Sequence, residues 1–277
     1  MRTSAVWVSG LVMAAVLGAP LAAAVPVTVD NFKRAETEFY IGTYAKRFGV
    51  GTLAHDRQAP PDTGQPVIRM NRDTLYSYII LDLNSPATIV KPDTGKRFQS
   101  MIVINQDHYV KKVAYGPGRI ELTKDNVGTR HAIVLFRTFF NPDDPKDVKA
   151  AHAAQDGIQL IQADKGKLEL TDFDQKSREE LHDLLNRMAA FSPDTTKAFG
   201  DAGEVDPVQH LIMTSAGWGG NPRKDAIYLN DGVAQNDGVT PHALTVGKVP
   251  VDGFWSITVY NEKGFFEAPG SAASINN

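Results

Sequence analysis

Hydrophobic residues along this chain change their period twice, and those changes divide it. From Asp30 to Phe48 they recur at helical spacing, with Phe32, Ala35, Phe39, Tyr40 and Tyr44 on one stripe. Asp30 or Asn31 is placed to cap this segment and Gly49 to stop it, so the pattern predicts a docking helix. Gly49 to Pro66 is rich in Pro, Gly and Asp and reads as an irregular loop. Strand signals come next at Leu75 to Leu83, Thr88 to Val90, Phe98 to Ile104, Tyr109 to Tyr115, Arg119 to Leu122 and His131 to Phe140, with Gly116-Pro117-Gly118 as a turn. Met101 to Ile104 and Ala132 to Phe136 are apolar at every position, the pattern of central strands covered on both faces.

Past Asn141 the helical period returns. One helix opens near Asp147 and runs through Val148, Ala151, Ile158 and Ile161. A second starts near Ser177, whose spacing to Glu180 is that of a capping box, and a third runs from Asp206-Pro207 to Gly217. From Asp225 strand patterns resume at Ala226 to Leu229, Ala243 to Val246 and Phe254 to Tyr260, with Asn261 to Gly264 as a hairpin turn. Strands, then helices, then strands predict an α+β chain, mainly β, built on two antiparallel sandwiches. The predicted units are an N-terminal helix and first sandwich over 25–145, a helical connector over 146–217, and a second sandwich over 218–277. The last is short of strands and is expected to be incomplete.

Residues 1–24 have the form of a secretory signal: Arg2, an uncharged apolar run from Val6 to Gly18, and Ala22-Ala23-Ala24 as a small-x-small cleavage pattern. The chain has no cysteine, which excludes disulfides, thiolate catalysis and Cys-ligated metal sites and suits a periplasmic or secreted protein. No later segment is long and apolar enough for a transmembrane span. The formal net charge of -3 argues against a nucleic-acid partner.

Candidate chemistry is sparse. No Gly-x-Ser-x-Gly elbow occurs, and the seven histidines show neither His-x-His nor His-Glu-x-x-His spacing, so no metal and no cofactor are expected. In an extended chain Arg69, Asn71 and Asp73 share a face, forming a polar mouth over apolar Leu75 and Ile79. If the strands at 75–83 and 98–104 are antiparallel neighbours, Asp73 comes beside Asp107 and His108. Those three are the candidate catalytic residues, an acid/base set suited to a metal-independent hydrolase of a glycan, amide or ester. The simpler reading gives the same polar residues to turns and ion pairs. A separate reading, drawn from the aromatic residues of the two β regions, has Arg69, Asn71, Tyr76 and Trp218 line a binding surface for a small molecule or glycan. A ligand-binding or envelope-associated role therefore stands ahead of catalysis, with homo-oligomers expected for the full-length product.

Two stretches carry a resemblance. Val67 to Ser77, with Val127-Gly128-Thr129-Arg130 and Asn141-Pro142-Asp143-Asp144-Pro145, resembles the family called domain of unknown function 1254. Gly217-Trp218-Gly219-Gly220-Asn221-Pro222 and Val249 to Tyr260 resemble its usual partner, domain of unknown function 1214. The resemblance implies two jelly-roll-like sandwiches joined by helices and an exported location, and it brings no reaction. It also implies further strands beyond the position of Asn277.

Overall fold

The computed structural model describes residues 23–59, 69–229, 232–266 and 274–276. The predicted secretory signal therefore lies almost wholly outside the described residues, as do Val67 and Ile68. The fold is mixed α+β with antiparallel sheets. The first helix, α1 (Phe32–Phe48), stands where the periodicity places it, and Lys46 and Arg47 in its last turn face the helix C-terminus. Within the predicted loop a short strand, β1 (Leu53–His55), pairs with β2 (Thr74–Asp82). The chain then forms β3 (Ala87–Lys91), β4 (Gln99–Asn105), β5 (Val110–Ala114), β6 (Gly118–Leu122), a single turn α2 (Lys124–Val127) and β7 (His131–Phe139).

These strands form a five-stranded sheet in the order β1-β2-β7-β4-β5 and a three-stranded sheet in the order β6-β3-β8, where β8 is Gln159–Gln162. One apolar layer joins them: Ile79, Leu81, Met101, Val103, Val134 and Phe136 from the first sheet pack with Ala87, Ile89 and Leu122 from the second and with Ile158 just before β8. Because alternate residues point to opposite faces, Tyr78, Ile80, Ile102, Ile104 and Ile133 cover the other side of the larger sheet. There they receive Tyr40, Ile41 and Tyr44 of α1.

The helices differ from the predicted ones in two places. Helix α3 (Pro145–Asp156) ends at Gly157, so Ile161 lies in β8 and pairs with Thr88 instead of extending the helix. Helix α4 (Gln175–Met188) is capped by Asp174, whose carboxylate accepts the Ser177 backbone N–H at 2.8 Å, and Ser177 is already inside. Helix α5 (Pro207–Ala216) has the predicted Asp206-Pro207 start. Phe32 and Ala35 of α1, Leu185 of α4 and Ile212 of α5 form a second core.

After Trp218 regular pairing is scarce. Ala226 to Leu229 and Ala243 to Val246 are not strands, and the predicted strand at 254–260 contracts to β9 (Ser256–Thr258), paired with β10 (Ser274–Asn276). Ile227, Leu229, Val239 and Leu244 are exposed, so the strand-like apolar pattern here has no sheet to bury it among the described residues. The turn at Asn261 forms as predicted, with Gly264 N donating to Asn261 O at 2.9 Å.

Candidate functional site

Asp73 does not meet Asp107 or His108. The expectation needed β2 and β4 to be neighbours, but β7 lies between them and pairs antiparallel with both. Asp73 precedes Thr74, which faces Phe139 at the end of β7, whereas Asn105 faces Ala132 at its beginning. The two polar clusters therefore occupy opposite ends of the sheet, and the proposed acid/base set is not assembled.

At one end, Asp107 sits in the β4–β5 turn and takes both Nε and Nη2 of Arg34, each at 2.7 Å. His108 adopts φ 66° and is 1% exposed. Its protonation is set by its neighbours. Gly219 N–H can only donate and lies 2.9 Å from Nε2, so Nε2 carries the lone pair. The Thr214 hydroxyl donates to His210 O at 2.7 Å, so its oxygen, 2.9 Å from Nδ1, accepts the Nδ1–H. Burial, then the neighbouring His210 and Lys33, hold this imidazole well below the usual histidine range. Its ring stacks between His210 (5.2 Å) and Trp218 (5.8 Å), Tyr109 continues the stack on His210 (4.9 Å), and Tyr40 closes it on Trp218 (4.3 Å). Trp218 also donates Nε1–H to Thr37 at 3.2 Å. Predicted as a base and a ligand contact, His108 and Trp218 instead join the β4–β5 turn to α1 and α5.

At the other end, Asp73 is 4% exposed and accepts Ser274 Oγ–H at 3.0 Å, Asn276 Nδ2–H at 2.8 Å and Asn71 Nδ2–H at 3.1 Å. Asn71 Oδ1 takes the Asp73 backbone N–H at 2.9 Å, an Asx turn. Arg69, with φ 54°, donates to the Ala216 carbonyl at the end of α5, 2.7 Å away. The chain bends here, so Arg69, Asn71 and Asp73 do not form the extended polar face expected of them. They tie the C-terminal segment to the sheet.

Tyr76 belongs to a third place that pattern reasoning did not assemble. On the outer face of the large sheet the register sets Tyr76 opposite Arg137 and Arg137 opposite Ser100. Met101 faces Ala114, which brings Tyr115 beside Ser100. The row Tyr76, Arg137, Ser100, Tyr115 is polar, while the next row, Tyr78, Leu135, Ile102 and Val113, is apolar and covered in part by α1. Arg137 is half-buried; its Nε–H donates to Ser100 Oγ at a long 3.4 Å and its guanidinium lies 5.8 Å from the Phe98 ring. The Tyr115 hydroxyl donates to Asp225 at 3.0 Å. Tyr228, 46% exposed, accepts the backbone and side-chain N–H groups of Asn221 at 3.2 and 3.0 Å. A signal for this place is present in the sequence: Arg137 is the one charge in the apolar run from Ala132 to Phe140.

Residues 50–125 match the family described as "Protein of unknown function (DUF1254)". That span contains Arg69, Asn71, Asp73, Tyr76, Ser100, Asp107, His108 and Tyr115. No curated protein matches the chain. Among solved structures, the crystal structure of the VPA0106 protein from Vibrio parahaemolyticus is similar, with a TM-score of 0.52 and 13% identity over 70% of this chain. The chain spans 66% of that protein's length, and the likeness is one of fold alone.

Two further features bear on catalysis. His55 Nδ1 lies 2.8 Å from Ser77 Oγ, but Ser77 is fully buried and also accepts Gln155 Nε2–H at 3.2 Å, so its hydroxyl cannot meet a substrate. Among the described residues, no three His, Asp or Glu side chains are grouped to hold a metal ion. No described helix is long and apolar enough to cross a membrane.

Proposed function

We propose that this chain is an exported ligand-binding protein whose site is the Tyr76–Arg137–Ser100–Tyr115 row, and that it is not a hydrolase acting through Asp73, Asp107 and His108. One observation carries the reading: the three candidate catalytic groups are spent on internal partners, while the outer sheet face offers a half-buried cation among aromatic rings. A general base needs a lone pair within reach of a substrate proton, and His108 gives its own to Gly219 N–H. Export rests on the Arg2 start, the apolar run and the alanines at 22–24, together with the absence of cysteine.

The same proposal covers the domains: a first jelly-roll-like unit over 25–145, a helical connector over 146–217, and a second unit over 218–277 akin to domain of unknown function 1214. Self-association is part of it, favoured by the exposed Ile227, Leu229, Val239 and Leu244. The test is a turnover screen of the leader-free protein on model esters, amides and glycans, with Asp73→Asn and Asp107→Asn as controls. The expected result is no turnover that either substitution removes. Activity lost in both variants, with folding intact by circular dichroism, would reinstate the hydrolase.

A further inference from the structure

If a ligand sits on the outer sheet face, the charges around the Arg137 row decide what kind of ligand it is. Arg137 is unusual among the inward-reaching arginines. Arg97, Arg130 and Arg178 are each matched by a carboxylate, Asp147 at 2.6 Å, Asp82 at 2.8 Å and Glu36 at 2.7 Å. Arg137 has no ion pair among the described residues, and its one hydrogen bond is the long one to Ser100. A guanidinium carries five donors in a planar fork, and holding it half-desolvated without an anion is unfavourable. The flanking phenols do not supply that anion. Burial raises the Tyr76 hydroxyl, and burial with the adjacent Asp225 raises that of Tyr115, so both stay protonated.

The surroundings narrow the class. Among the described residues, Asp225 reaches this row through its Oδ1 contact with Tyr115. Its repulsion grows with the charge of the ligand, so a singly charged group is disfavoured less than a phosphate dianion. The Phe98 ring lies beside the guanidinium, with its centroid 5.9 Å from that of Tyr115 and 5.1 Å from that of Phe254, so the surroundings of the cation are aromatic and apolar. We propose, resting on the binding reading, that the ligand is a small organic monocarboxylate with a planar or apolar body, its carboxylate received by the free guanidinium fork of Arg137 between Tyr76 and Ser100.

The experiment is a ligand-observed NMR titration of the leader-free chain with sodium benzoate and with its neutral isostere benzamide. Benzoate is expected to bind ~10- to 100-fold more tightly, the range of a charge-assisted bidentate contact. Arg137→Gln should erase that preference, and Arg137→Lys, which keeps the charge and loses the fork, should keep part of it, with thermal melts showing both variants folded. Equal affinity for benzoate and benzamide, or a preference that survives Arg137→Gln, overturns the carboxylate assignment and leaves the binding reading standing. If neither compound binds the wild-type chain, both fall.

Discussion

A histidine whose two ring nitrogens are both held by internal partners is a structural part, and His108 makes this measurable. Thr214 and Gly219 hold its nitrogens, and the folded protein keeps it neutral. The unfolded chain protonates it near the ordinary histidine value of about 6.5. Below that pH the unfolded state binds the extra proton, so stability is complete above about pH 7 and declines as the pH falls. His210 and His55, both also held low by burial, act in the same direction. Urea unfolding between pH 7.5 and 5.5, above the range where carboxylates titrate, should show a loss from His108 approaching about 1.4 kcal/mol per pH unit, with contributions of the same sign from His210 and His55. Asn tolerates the left-handed backbone at this position, so His108→Asn is the control. It should fold with a shallower slope; parallel slopes for variant and wild type would show that His108 does not set the acid limb.

Among the elements, the helices depend on a buried charge network that periodicity does not reveal. Glu36 of α1 is fully buried and accepts from Arg178 of α4 at 2.7 Å, with His182 Nδ1 3.0 Å from its other oxygen. The Arg178 guanidinium also lies 3.9 Å from the Phe39 ring. Removing the Glu36 charge leaves Arg178, itself buried, with Gln175 and the solvent-exposed Glu179 as its remaining side-chain partners, so Glu36→Gln is expected to cost about 3 kcal/mol by denaturant titration. A loss within ~1 kcal/mol would place the pair in a solvated setting. The elements themselves are legible where a period runs long enough. Helix α1, the central strands β2, β4 and β7, and the Asp206-Pro207 start of α5 obey their patterns. The failures have local causes: Ile158 and Ile161 fit a helical stripe, but Gly157 ends the helix and β3 recruits the residues beyond it as a strand. At α4 two capping residues compete three positions apart, and Asp174 takes the role.

For the whole molecule, strand order decides the site, and strand order is not written in any local pattern. Pairing Asp73 with Asp107 assumes that successive long strands are neighbours. Instead β7, arriving late in the chain, inserts between β2 and β4 and separates the two acids by the length of the sheet. The same insertion sets Arg137 between Tyr76 and Ser100, residues that precede it by dozens of positions. The mixed α+β fold can therefore be read from the residues, whereas the candidate site emerges only with the register. The most direct test is a backbone-amide NMR map of residues 25–277 titrated with benzoate. Shifts should concentrate at Tyr76, Ser100, Tyr115 and Arg137 while Asp73, Asp107 and His108 stay still. Perturbation centred on the Asp107–His108 turn, or none anywhere, would contradict the account.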